Sequence, residues 1–285
     1  MLLILAGLPS IIFPNLCNAD EPRPRVIVSI VPLKYFVQKI AEDKVTVSVM
    51  VPPGADPHSY EPKPKELKEL SGASMYVKLG MPLEFELSWL DKLLALNPRM
   101  AVCDSSKEVQ LLKAGRLEGE SSKGIDPHIW VSLKNDVIIA GNIKNSFVEM
   151  DPSNKEIYER NFLELKKELE NLNSSIQGRL MPFRGHSFIV IHSAWKYFAR
   201  DYALSEIPIE AGGKEPSAKD LELIIKKAEK ENIKIVFAAP EFSKKAAISV
   251  AREIGAKVEV IDHLSEDLPR EIKKMAELIS QSYGK

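Results

Sequence analysis

The stretch from Asp151 to Leu180 constrains the fold more than any other, because after Pro152 no glycine or proline interrupts it before Gly178. Ile157, Phe162, Leu165, Leu169, Leu172, Ile176 and Leu180 recur mostly at three- and four-residue steps, with Lys, Glu, Asn and Ser between them. That spacing predicts a helix with one apolar face. Asp151 or Ser153 can cap its start with Pro152 in the first turn, and Gly178, Pro182 and Gly185 offer the stop. At about 1.5 Å per residue it spans roughly 40 Å, the width of a small domain. Such a helix is either a surface element of one domain or a strut between two. The flanks favour the strut, since both sides carry the same alternation of strands and helices.

On the N-terminal side, Arg25 to Val31 reads as a strand, Leu33 to Ala41 as a helix and Val45 to Val51 as a second strand ending at Pro52, Pro53 and Gly54. Strands at Met75 to Leu79 and Met100 to Cys103 follow, with helices at Lys65 to Ser71, Leu83 to Leu96 and Leu133 to Phe147. Beyond the strut come strands at Ser187 to Ile191, Ile207 to Ile209, Ile233 to Phe237 and Lys257 to Ile261. Helices at Ala194 to Asp201, Ala218 to Lys230, Lys244 to Ile254 and Leu268 to Tyr283 separate them. The expected fold is therefore α/β, with two lobes, each a mostly parallel sheet flanked by helices, and ligands at the carboxyl ends of the strands. The expected divisions are a signal peptide at 1–19, an N-terminal lobe at 20–150, a connecting helix at 151–181 and a C-terminal lobe at 182–285.

A chain of 285 residues can support two modest domains, each with its own core. Its 39 basic and 40 acidic residues are well mixed, so no basic field is available for nucleic acid. Runs such as Lys63 to Lys68 and Lys226 to Lys234 read as solvated helix faces. Met1 to Phe13 is apolar and leads to Cys17, Asn18 and Ala19, which suits export with cleavage before Asp20. Removal of that segment leaves Cys103 as the single cysteine, which excludes both an internal disulfide and a thiolate metal cluster. Its apolar setting points to core packing.

Three of the five histidines stand in loops or at strand ends. His58 lies in the Pro- and Gly-bearing loop Gly54 to Pro62, His128 in Asp126-Pro127-His128, and His192 directly after Phe188 to Ile191. The tripeptide Asp-Pro-His at both Asp56 and Asp126 suggests a shared role. Any one of these histidines alone is equally well read as a hydrogen-bonded structural residue. Together they read as metal ligands that need a fourth group, and without thiolates a carboxylate is the natural choice. Asp262, after the strand Lys257 to Ile261, fits; alone it would read as a cap or turn residue. Two ligands then come from each half, and four-ligand closure leaves no open position for an activated water, so such a site holds metal without using it in catalysis.

Taken with Glu215-Pro216-Ser217, Pro240 to Ala247 and Val260 to Asp262, these motifs make the chain from Val26 to Tyr283 resemble the zinc- and manganese-binding solute-binding proteins of metal ABC importers. The resemblance implies two α/β lobes joined by one long rigid helix. It also implies a metal held between them by His58, His128, His192 and Asp262, and delivery to a membrane permease by a monomer in the periplasm or on the outer face of the cytoplasmic membrane. Within that family a histidine at the position of His192 goes with zinc, leaving manganese as the alternative cargo. The histidine-rich loop of many zinc receptors is absent from Lys113 to Gly124. His263 stands where relatives carry proline and is expected at a solvent-facing turn, with a supporting or alternate ligand as the other reading; His186 is expected to be structural; and Glu61 either ligates, orients His58 or, as the better reading, makes an ordinary loop hydrogen bond. An exported zinc metalloenzyme would need an open coordination position and a general base, and no His-Glu-x-x-His or Gly-x-Ser-x-Gly pattern is present. A metal-stiffened adhesin is the other alternative, and no phosphate-cradling glycine loop supports a nucleotide enzyme.

Overall fold

The structure, a computed structural model, describes residues 23–114, 124–210 and 216–284. The expected signal peptide, most of the Lys113 to Gly124 loop and Glu215 lie outside the described residues.

Strands β1 (Arg25–Val28), β2 (Thr46–Val49), β3 (Met75–Lys78) and β4 (Ala101–Asp104) form one sheet in the order β2-β1-β3-β4. Strands β5 (Ser187–Val190), β6 (Ser205–Pro208), β7 (Ile235–Ala238) and β8 (Lys257–Val260) form a second in the equivalent order β6-β5-β7-β8. Every strand pair is parallel. The central strands read as unbroken apolar runs because helices cover both faces: Val26, Ile27 and Val28 are buried, as are all four residues of β5 and of β7. Helices α1 (Val31–Ala41), α2 (Pro64–Ser71), α3 (Glu84–Leu96) and α4 (Leu133–Met150) serve the first sheet. Helices α6 (Lys196–Tyr202), α7 (Ala218–Lys230), α8 (Lys245–Glu253) and α9 (Leu268–Tyr283) serve the second. In both sheets the chain leaves the first strand toward one edge and then crosses to the other side. This leaves a crevice at the carboxyl ends of the strands, and the histidine loops open there.

The strut is α5, Lys155–Leu180, preceded by a 3-10 turn at Pro152–Asn154 and followed by another at Met181–Phe183. Gly178 does not stop it; the helix runs through to Leu180 and ends where Pro182 removes a backbone donor. Asp151 does not cap α5 either. It closes α4, and its carboxylate accepts from Ser153 Oγ (2.5 Å), Asn154 Nδ2 (2.6 Å) and Tyr158 Oη (2.8 Å). The buried face departs from the apolar periodicity at its first turns, where Tyr158 and Asn161 are buried and Ile157 and Phe162 only partly so. Both polar side chains are satisfied there, Tyr158 by Asp151 and Asn161 Nδ2 by the Ile40 carbonyl that ends α1 (3.0 Å).

The two lobes do not have separate cores. One apolar cluster runs from Val26 and Phe36 through Phe147, Leu165 and Ile176 to Phe188, Phe237 and Ile279, and a smaller one lies under α7 and α8. The lobes are also tied by polar contacts through α6. Tyr197 Oη accepts from Leu112 N (3.0 Å) and donates to the Asp126 carbonyl (3.0 Å), while Ser132 Oγ donates to Asp201 (2.5 Å). Lys34 and Glu266 pair across the junction at 2.9 Å. The lysine-rich runs are solvated helix faces, as in the exposed pair Lys226–Glu222. Cys103 is a buried free thiol in β4, pushed up to about 11 by burial. Among the described residues no helix is long and apolar enough to cross a membrane.

Asp136 in the first turn of α4 is fully buried, and neither carboxylate oxygen has a hydrogen-bond partner. Burial first, and then the charge of Asp201, pushes its carboxyl well above the ordinary range. A carboxyl raised in the folded state contributes fully only below its unfolded value of about 3.9, and that contribution is lost as pH rises through the folded pKa. Asp136→Asn is therefore expected to raise the melting temperature of the metal-free protein, by a margin that widens between pH 5 and pH 8 in thermal denaturation.

Candidate metal centre

His58 is delivered by the loop after β2, which turns at Gly54 with φ +80° and is pinned where Phe85 N donates to the Pro57 carbonyl (3.3 Å). The two Asp-Pro-His loops share one local device. Asp56 Oδ1 accepts the backbone N–H of His58 at 2.9 Å, and Asp126 Oδ1 accepts that of His128 at 3.0 Å. The carboxylate two residues ahead replaces a backbone acceptor and fixes the turn. His192 needs no such turn, because the strand β5 ends into it and Ile191 N bonds the Phe237 carbonyl of β7 at 3.0 Å.

These loops bring His58, His128 and His192 together, with ligand nitrogens all within 4.8 Å of one another. Ring centroids lie 5.7 Å apart for His58 and His128, 5.0 Å for His58 and His192, and 5.2 Å for His128 and His192. Each imidazole is backed at Nδ1 by a carboxylate: Glu84 for His58 (2.5 Å), Asp126 for His128 (2.9 Å) and Glu210 for His192 (3.4 Å). A ring that donates from Nδ1 keeps its Nε2 lone pair free, which fixes the ligating tautomer and raises ligand basicity. The Nε2 atoms of His128 and His192 face each other at 3.3 Å, so two lone-pair nitrogens converge on one point. Burial, helped by the neighbouring His192 and His58, holds His128 below the usual imidazole range although Asp126 opposes this. It is therefore neutral at physiological pH. Phe242 stacks on His192 at 4.8 Å and closes that side with an apolar face.

The fourth expected ligand, Asp262, stands outside this group of three. Its Oδ1 accepts from Leu264 N at 2.8 Å, and its backbone N–H donates to Glu271. Burial, and then the charge of Glu271, raises its carboxyl above the ordinary range. Its neighbour Glu241 is pushed up to about 6, by burial first and then by the charges of Asp262 and Asp56.

His263 corrects the expectation of a solvent-facing turn. It is 3% exposed, stacks on Trp130 at 6.5 Å, and its ring lies 5.9 Å from both His128 and His192. Its carbonyl accepts from Trp130 Nε1 at 2.7 Å, a bond between the lobes that draws the residue under the site. His186 is structural as expected, with Nδ1 donating to the Phe183 carbonyl (3.0 Å) and the ring edge-on to Tyr283. Glu61 is exposed, and Glu84 takes the place beside His58 that Glu61 was a candidate for. Glu84, Glu210 and Phe242 were not singled out from sequence. Glu210 had a signal, a carboxylate one residue past the apolar strand run Ile207 to Ile209, and Glu84 stands in the first turn of a helix.

Two parallel α/β lobes on one backbone helix, with three carboxylate-backed imidazoles converging at the strand ends, define the class as a two-lobed α/β protein with a candidate metal centre between its lobes. The sequence matches, over residues 26–281, the ZnuA family, described as zinc-uptake complex component A, periplasmic, and the chain belongs to that family. It is a family of uptake-system components and not of enzymes. The chain is 30% identical over 256 residues to the high-affinity zinc uptake system protein ZnuA of Bacillus subtilis, covering 86% of this chain and 80% of that protein. Among solved structures it is similar to a crystal structure of ZnuA, with 42% identity and a TM-score of 0.85 over 91% of this chain and 99% of that one. It is also similar to a laminin-binding adhesin of Streptococcus agalactiae, with 25% identity and a TM-score of 0.80 over 90% of this chain and 98% of that one.

Proposed function

We propose that this chain captures a divalent metal ion, zinc in preference to manganese, and hands it to the membrane permease of an ABC importer. In this reading His58, His128 and His192 ligate through Nε2, the turn that carries Asp262 supplies the fourth donor, and the receptor acts as a monomer. The observation that carries it is the convergence of three imidazoles, each with Nδ1 held by a carboxylate. Imidazole donors suit zinc better than manganese, which prefers oxygen. Zinc named in the related uptake protein of Bacillus subtilis agrees with that donor set.

Capture needs little rearrangement, because the rings already face one point. Release is governed by the ties between lobes: α5, the shared core and the Tyr197 and Trp130 bonds resist a wide hinge. The loops carrying His58 and Asp262 move instead, the former half-buried and held chiefly by Asp56, Glu84 and Phe85.

Three imidazoles must be neutral to ligate, so protons compete with the ion below about pH 6.5. Burial already disfavours the charged form of His128. Zinc affinity measured by chelator competition from pH 8 to pH 5 is expected to be flat at the top and to fall increasingly steeply below that point. An affinity unchanged down to pH 5 contradicts a three-histidine site.

A further inference from the structure

We propose that His263 is a fourth imidazole ligand and takes the coordination position in place of Asp262 when the ion is bound. The inference rests on the metal-receptor reading and refines its ligand set. Three observations carry it. First, the His263 ring is buried against His128 and His192, and among the described residues it makes no hydrogen bond. Its ring nitrogens are therefore unspent and available to a ligand.

Second, the geometry is close to what a four-imidazole centre requires. With metal–nitrogen bonds of about 2.0–2.1 Å, tetrahedral imidazoles place their ring centroids about 5 Å apart. The three facing rings are at 5.0, 5.2 and 5.7 Å. His263 at 5.9 Å from two of them is roughly 1 Å too far. Its carbonyl is anchored by Trp130 Nε1 and its ring rests on the Trp130 face without a hydrogen bond, so closing the gap takes a side-chain rotation away from that stack.

Third, the alternative donor is engaged and the local charge does not call for it. Asp262 Oδ1 holds the Leu264 N–H, and its carboxyl is surrounded by Glu241 and Glu271. Glu84, Asp126 and Glu210 already stand behind the three imidazoles, with Lys196 3.8 Å from Asp126. Those three carboxylates offset a divalent ion before any fourth ligand is added, which makes a neutral nitrogen the better partner. An all-nitrogen set also sharpens discrimination against manganese.

The test is imidazole NMR on the 15N-labelled full chain titrated with zinc sulfate, with Asp262→Ala and His263→Gln measured alongside. One zinc per chain is expected to shift a ring nitrogen on His58, His128, His192 and His263, leaving His186 unmoved as the control. Asp262→Ala is expected to keep all four shifts and to change zinc affinity by less than about 10-fold, whereas His263→Gln weakens it by more than about 10-fold. The wild-type spectrum alone decides if a variant fails to fold. Zinc shifts on three histidines with His263 unmoved overturn the proposal and leave the receptor reading intact; no zinc-dependent shift on any histidine overturns both.

Discussion

Replacing His128 with alanine is expected to weaken zinc binding by more than about 100-fold, because loss of a ligand exceeds the 10- to 100-fold cost of losing the group behind one. His128 is the most buried of the three converging imidazoles and the one whose turn, ring and neutral state are all set locally. Its removal also leaves Asp126 buried with one fewer partner, since Oδ1 accepts both His128 donors. Asp126→Asn separates the two roles. It keeps the ligand but offers Nδ1 a weaker acceptor, and is expected to cost between about 10-fold and 100-fold. Isothermal titration of both variants against the wild type checks the order. If Asp126→Asn were as damaging as His128→Ala, the carboxylate would be a ligand and not a support.

The largest stability effect is expected at Trp130. Its side chain is 1% exposed, the bulkiest of the fully buried residues, and sits at the floor of the site between the lobes. Truncation to alanine removes that packing and costs about 3–5 kcal/mol, which lowers the melting temperature of the metal-free protein by on the order of 10 °C. Trp130→Phe retains most of the apolar volume but leaves the His263 carbonyl without its donor, at a cost of about 1–3 kcal/mol. Calorimetry on the two variants should rank them in that order. Equal melting temperatures for wild type and Trp130→Ala would mean that the junction is not a shared core.

Much of the architecture was readable because it is local. Ala218–Lys230 and Leu268–Tyr283 match their expected bounds, since their patterns begin at Ser217 and Asp267, whose side chains accept from Asp220 N and Arg270 N. The paired Asp-Pro-His loops stood out in the sequence because the same short-range turn is made twice. What could not be read depends on partners far along the chain. Glu84 reaches His58 from a helix 26 residues on, and Glu210 reaches His192 from the neighbouring strand end 18 residues on. His263 reads as a turn residue until Trp130, 133 positions earlier, draws it inward. The start of α5 misled for the same reason, since Asn161 is buried only because the end of α1 needs a donor.

The most direct test is the metal content of the protein, refolded without metal and dialysed against equal zinc and manganese, read by elemental mass spectrometry. One zinc per chain, with manganese excluded, is the predicted result. Manganese in that position would change the cargo, and a chain carrying neither metal would contradict the convergent imidazoles as a binding site.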